Sequence, residues 1–350
     1  MRLILVGAGH AHLSLCKNAS QFIQRGIDIT LISPGLFWYS GLATGVLGGR
    51  YAKEQDQIDL HAIAKLHGGT AVFDRVKKIK PEEKTLILEK SDPITYDALS
   101  VNVGSTLPAE SIPGLAENSF QVKPIPNLWK LKETVLQEKR PQKIIVVGGG
   151  ATGCEIAANL HALKKSNPIQ LITSSSRLLS EHFPSVSKKM ESLLRDKGVE
   201  VVFNQKVIKM DKGMVVTESH SYAADHIVSA IGLVPPVLLD GKRGILVKDT
   251  LQSVDYPEIF GAGDCIRIQG YDLPKIGVYG VKEAPILQKN LLAFLAGEPL
   301  ESYHPQKTFL SILNLGDGTG LAIRKPFYWH GRLSMLVKDW IDRYFLWSLR

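Results

Sequence analysis

The chain has 350 residues, enough for two or three domains with cores of their own, and its 44% hydrophobic and 22% charged residues are those of a globular protein. A net charge of +8 leaves room for anionic cofactors, lipid or nucleic acid, but no Lys/Arg run interleaved with aromatics marks a nucleic-acid face. Three separated cysteines, Cys16, Cys154 and Cys265, form neither a C-x-x-C pair nor a zinc pattern, and no apolar stretch approaches the roughly 18 residues of a membrane-spanning helix. A reducing, cytoplasmic setting is expected, with no metal, and the chain starts directly on a strand with no space for a signal peptide.

Leu3 to Val6 read as a buried parallel strand, and Gly7-Ala8-Gly9 follow where it must turn into a helix near His10. Gly7 suits the tight turn, Gly9 admits a pyrophosphate to the main chain, and the helix N-terminus points free N–H groups at it. His12 stands where the third glycine of G-x-G-x-x-G belongs, to hydrogen-bond a phosphate or to fill the missing glycine's place. The helix runs to about Gln24 and precedes a strand over 28–32. That strand ends in Ser33-Pro34 rather than the acid that holds a ribose, which leaves the Ser33 hydroxyl for that task. Phe37 to Gly49, rich in Gly and aromatics, has a helix-like end suited to packing under a planar ring system.

The runs 71–79 and 85–89 flank a polar turn and predict a hairpin or meander, and 96–105 is a strand running into Gly104. Prolines 108, 113, 124 and 126 mark a linker, followed by a helical pattern over 127–139. The device then recurs. Ile144 to Val147 lead into a turn where Gly148, Gly150 and Gly153 complete the fingerprint, followed by a helix to about Lys164 and a strand over 169–173. A helix over 186–197 and strands over 199–203 and 214–217 follow, and 224–232 is a strand running into Gly232. Tyr256 to Asp264 form a strand ending in Gly261-Ala262-Gly263-Asp264, and a helix covers about 279–296. Two such turns point to two dinucleotides in one protein.

Taken in order, these pieces resemble the flavoproteins with two dinucleotide-binding domains, the pyridine nucleotide-disulfide oxidoreductase superfamily, over about residues 1–300. LILVGAGHAH is similar to the FAD turn, YDALSVNVGS to the strand that ends in an A-T-G-like turn, IIVVGGGATGCE to the nicotinamide turn and IFGAGDC to the second flavin motif. The resemblance implies an α/β fold of two Rossmann-like domains, the second inserted in the first. An FAD domain would span 1–110 and 245–300, an NAD(P) domain 120–244, and a small C-terminal region 301–350. Asn102-Val103 depart from the usual Ala-Thr. WYSGLATGVLGG and GGGATGCE resemble the branch of type II NADH:quinone dehydrogenases and sulfide:quinone oxidoreductases, while PKIGVYGVKEAPILQKNL, FLSILNLGDGTGLA and KDWIDRYF look like flavoprotein modules fused to selenophosphate synthases.

By that resemblance FAD is the cofactor and NAD(P)H its electron donor, with Gly7, Gly9, Gly104, Gly263 and Asp264 at the flavin nucleotide and Asp264 on its ribityl chain. Glu155 is placed near the flavin as a proton relay, or is a first-turn glutamate held by the helix dipole. Lys275 and Tyr279 flank a helix start where the family stabilises charge on the flavin's pyrimidine edge. Ser174, Ser175, Ser176 and Arg177 stand where an NAD-selective fold carries an acid, which favours NADPH or a second domain that binds nicotinamide poorly. Cys154, at a helix N-terminus, is either an activated thiol or buried packing, and the lack of a cysteine pair argues against thiol-disulfide exchange.

The tail, 332–350, sets Leu333, Leu336, Trp340, Tyr344 and Trp347 at helical spacing, with Lys338, Arg343 and Arg350 toward the other side. Such a helix suits the inner surface of a membrane, and equally its own core or a second subunit of a homodimer. The expectation is an FAD-containing NAD(P)H:acceptor oxidoreductase with a quinone-like acceptor. The alternatives are a flavoprotein acting on a sulfur or selenium compound, and a redox sensor that keeps FAD without turnover.

Overall fold

The computed structural model describes residues 1–239 and 241–349. Two five-stranded, all-parallel sheets organise it. In the first, the strands lie in the order Ile259–Gly261, Ala98–Val101, Arg2–Val6, Asp28–Ile32, Thr70–Val72. In the second, the order is Phe120–Gln121, His226–Ser229, Ile144–Val147, Ile169–Ile172, Glu200–Val202. The two orders match position for position. In each, the strand before the glycine turn is central, so the strand order reverses beside it and opens a crevice at the carboxyl ends.

The central strands are apolar because both faces are covered. Leu3, Ile4, Leu5, Ile144, Ile145 and Val146 are inaccessible to solvent, each such side chain contributing about 1.5–3 kcal/mol by leaving water. The helices His10–Lys17 and Gly277–Ala296 pack on the first sheet, and Ala151–Leu163 and Pro184–Asp196 on the second. The predicted hairpin is a three-stranded antiparallel piece, Val76–Lys80, Thr85–Leu88 and Ile94–Thr95, and Val207–Asp211, Met214–Thr217 and Ser221–Ala223 repeat it in the second half. Residues 71–72 of the predicted run belong instead to the edge of the first sheet.

The C-terminal region holds a meander, Ser311–Asn314, Gly320–Arg324 and Phe327–Gly331, and then a helix over Arg332–Ser348. The meander packs on the helix Ala151–Leu163, where the Asn159 amide donates to the Asn314 carbonyl at 2.9 Å. The five predicted stripe residues of the tail helix are all exposed, Trp340 by 69% and Trp347 by 72%. Arg343 is exposed as well, and Arg350 lies outside the described residues. Lys338, placed by its spacing on the side away from the stripe, turns inward there beside Met335 and Asp342. Among the described residues, no helix is long and apolar enough to cross a membrane.

Candidate functional site

The first glycine turn forms as the sequence predicts. Gly7 has φ +91°, which L side chains rarely adopt, and Gly9 caps the helix His10–Lys17 in an extended conformation. Asn102, the departure from the usual Ala-Thr, has a structural reason. Its Oδ1 accepts the Ala11 N–H at 3.0 Å, and its Nδ2 donates to the Ala262 carbonyl at 2.5 Å. One side chain thus joins the ends of two strands and the start of the helix His10–Lys17 at the crevice. His12 is fully buried, with Nδ1 2.6 Å from the Gly7 carbonyl and Nε2 2.9 Å from Ser100 Oγ. Both ring nitrogens are taken within the protein, which favours filling over phosphate binding. Ser33 ends its strand with its hydroxyl donating to the Gly35 carbonyl at 3.3 Å and its own carbonyl 3.1 Å from His61 Nε2.

Around Asp264 the polar groups converge. Ser105, next to Gly104, donates its hydroxyl to Asp264 Oδ2 at 2.7 Å. Gly263, Asp264, Lys275, Tyr279 and Glu283 line a cavity of about 440 Å³. Lys275 Nζ donates to the Ile266 carbonyl at 2.7 Å, and burial lowers its pKa against the pull of Asp264. Burial raises the Tyr279 hydroxyl. Glu283, absent from the sequence reading, is almost fully buried and accepts the Gly263 N–H at 2.5 Å; burial pushes its carboxyl up to about 7 against that bond.

Glu155 lies deep beneath the second turn. Its Oε1 accepts the Asn314 N–H at 2.7 Å and the Thr44 hydroxyl at 3.4 Å. Burial raises its pKa, opposed first by the Lys338 ammonium. Lys338 in turn donates to the Gly41 carbonyl at 2.7 Å and to Asp342 at 2.8 Å, and Asp342 accepts the Tyr39 hydroxyl at 2.8 Å. The segment Ser40–Leu47, the helix after the second turn, the meander and the tail helix therefore meet at one carboxyl. Sequence reasoning missed Lys338 and Asp342 as site residues; their i,i+4 spacing opposite the aromatic stripe was the available signal. His10 was also missed. Its ring lies 5.0, 5.8 and 6.1 Å from those of Phe37, Tyr39 and Phe345, and burial followed by the Lys123 charge lowers its pKa to about 4.

In the second turn, a methyl on Gly153 would run into the Gly148 carbonyl, and one on Gly148 into Ala230 of the neighbouring strand end. Gly150 and Gly232 border open space. Arg177 donates to the Ser180 carbonyl at 2.6 Å and approaches Ser187 Oγ at 3.4 Å, so part of its fork is already engaged. Ser174 and Ser176 are exposed. Cys154, Cys16 and Cys265 are unpaired and buried, and burial raises all three thiols, which makes packing the role of Cys154.

These residues fit a dinucleotide. His10, Lys123 and Glu155 sit deep in the molecule yet stay partly reached by solvent, as walls of an internal crevice do. A side chain on Gly104 would meet no protein atom, so the backbone there borders room for a ligand. Among the described residues, no cluster of three or more His, Cys, Asp or Glu suits a metal ion.

Comparison with known proteins agrees with this geometry. The chain is 28% identical over 286 residues to ferroptosis suppressor protein 1 of Taeniopygia guttata, covering 75% of this chain and 73% of that one. It is 21% identical to the NADH dehydrogenase-like protein YutJ of Bacillus subtilis, covering 97% and 96%. Its fold matches the sulfide:quinone oxidoreductase of Aquifex aeolicus with a TM-score of 0.84 at 18% identity, over 100% of this chain and 91% of that one. It matches NDH2 of Plasmodium falciparum, solved with NADH, with a TM-score of 0.82 at 16% identity, over 99% and 97%. Residues 1–284 match the pyridine nucleotide-disulphide oxidoreductase pattern, and the chain belongs to that family of FAD-dependent enzymes that bind NAD(P)H.

Proposed function

We propose that the chain oxidises NAD(P)H and passes the electrons to a quinone-like acceptor at a membrane surface. FAD, when bound, would supply the redox chemistry between the nicotinamide's hydride and the acceptor. The residues around it bind, orient and manage protons. Gly7, Gly9 and Asp264 hold the flavin nucleotide, and Gly148, Gly150 and Gly153 the nicotinamide nucleotide. Lys275 and Tyr279 border the cavity beside Asp264 and orient what lies there.

The observation that carries the reading is the surroundings of Glu155. Burial raises the pKa of this carboxyl, and a carboxyl so placed is suited to relaying the protons that reduction of a quinone-like molecule consumes. The same helix that brings Lys338 to it turns an aromatic face outward. A cation beside the carboxyl and an apolar surface outside suit an acceptor that arrives from lipid. The three buried, unpaired cysteines favour this over disulfide chemistry.

The test is an anaerobic titration of the yellow protein with NADH and then NADPH, followed by a short-chain quinone. Either nucleotide should bleach the flavin, and the quinone should restore its colour. Glu155→Gln should leave bleaching intact and slow the return by tenfold or more. Failure of both nucleotides to bleach the flavin, or a quinone that leaves it reduced, would remove the reading.

A further inference from the structure

Glu283 lies on the inner side of the helix Gly277–Ala296 with 1% of its surface exposed, accepts the Gly263 N–H at 2.5 Å and lines the cavity it shares with Asp264 and Lys275. The turn after the strand Ile259–Gly261 brings Asp264 and Cys265 toward it, its own helix Tyr279, and the chain beyond that helix Tyr303. Arg267 and Asp272 stand at the exposed rim of the cavity. From the helix packed alongside come His10 and His12.

Most of these groups have no place for another proton. Lys275 donates to the Ile266 carbonyl, and the Cys265 thiol to the carbonyls of Val101 and Ala262 at 3.4 and 3.2 Å. Burial keeps that thiol and the hydroxyls of Tyr279 and Tyr303 protonated. Both ring nitrogens of His12 are engaged, and His10 is closed in by Phe37, Tyr39 and Phe345. Asp264 accepts the Ser105 hydroxyl. Glu283 is the enclosed carboxyl that can take up a proton and still accept the Gly263 N–H.

Charge in the cavity is already unbalanced, with Asp264 and Glu283 set against an ammonium turned to a carbonyl. A hydride carries two electrons and one proton into the flavin and leaves an oxidised nicotinamide, so the transfer exchanges no proton with water and adds one negative charge. An added negative charge raises the proton affinity of a carboxyl that faces it. We infer that Glu283 takes up one proton from water when the flavin is reduced and returns it to water when the flavin is reoxidised. The inference rests on the reading that FAD lies beside Asp264. Only the Glu283 O–H bond forms and breaks; no electrons pass through the carboxyl, and the proton cancels the charge that the hydride brought. Burial pushes the carboxyl up to about 7, so just above neutrality it has a proton to gain. The cavity reaches the exposed Tyr271, which gives water a way in.

The test uses wild-type and Glu283→Gln holoprotein with two readouts. The first is the equilibrium of flavin reduction against a reference dye, driven by a chemical reductant between pH 7 and pH 8. One proton per two electrons makes that equilibrium fall tenfold per pH unit, about 30 mV, which is the value expected for Glu283→Gln. Wild type should fall at least thirtyfold per pH unit, about 45 mV. The second is an indicator dye in weakly buffered solution at about pH 7.5 during bleaching by NAD(P)H, where wild type should take up about half a proton or more per flavin and the variant almost none. A wild-type fall near tenfold would overturn the inference without recourse to the variant. A variant as steep as wild type would also overturn it, placing the uptake elsewhere. Failure of NAD(P)H to bleach the flavin would instead remove the proposed donor and leave the first readout to decide about Glu283, while a protein that takes up no FAD would remove the FAD reading.

Discussion

At the scale of the residue, the crevice depends on side chains that stitch strand ends together. Asn102 satisfies a buried N–H and a buried carbonyl at once. Asn102→Ala should therefore lower stability by about 2–4 kcal/mol, read as a shift in urea midpoint at constant m-value. Glu283 makes a pH-dependent contribution. Its folded pKa, near 7, lies above the ordinary carboxyl value, so its stabilisation is full below the unfolded pKa and fades as pH rises through about 7. Glu283→Gln mimics the protonated form and should gain on wild type between pH 5 and pH 8, by on the order of 3 kcal/mol. Thermal melts across that range check it, with Asp264 and Lys275 left intact as the facing charges. Equal melting curves at both ends would contradict the shift. Departures from a motif were legible here, but their reasons were not: Asn102 and His12 stand out in the sequence, yet only their partners across the crevice, Ala262 and Ser100, explain them.

At the scale of the element, the parallel strands and glycine turns could be read because a strand covered on both faces leaves a continuous apolar run. The meander over 311–331 could not. Its last strand, FYWHG, is largely exposed and carries no alternation of buried and solvated residues. The tail helix was legible in periodicity and not in orientation: helical spacing separates two faces but does not say that the Lys338 face meets Glu155. That face is held by Tyr39 and Gly41 on one side and by Arg50 and Tyr51 bonding to Asp339 on another. Asp342→Ala leaves the Tyr39 hydroxyl and the Lys338 ammonium without their shared acceptor and should cost about 3 kcal/mol. Combined with Tyr39→Phe in a double-mutant cycle, the two losses should fall short of additive by about 1 kcal/mol. Strict additivity would show that the hydroxyl and the carboxylate do not act together.

At the scale of the whole molecule, charge and apolar surface are arranged for contact. Leu333, Leu336, Trp340, Tyr344 and Trp347 form one exposed face, with Phe327 and Trp329 of the preceding strand also exposed. The proposed membrane contact predicts that Trp340→Glu with Trp347→Glu reduces co-sedimentation with anionic vesicles at least tenfold while flavin bleaching by NAD(P)H is unchanged. Retention of vesicle binding would point to a second copy of the chain as what covers this face, and gel filtration of the same variant would show it. The pairing of Tyr39 with Asp342 joins residues 303 apart, and its consequence lies in the order of synthesis. A ribosome delivers both glycine turns long before the tail helix, so the nucleotide crevices can close on a nascent chain while the surroundings of Glu155 still lack Lys338. Every product stopped short of residue 338 would carry the carboxyl without the cation that opposes its protonation.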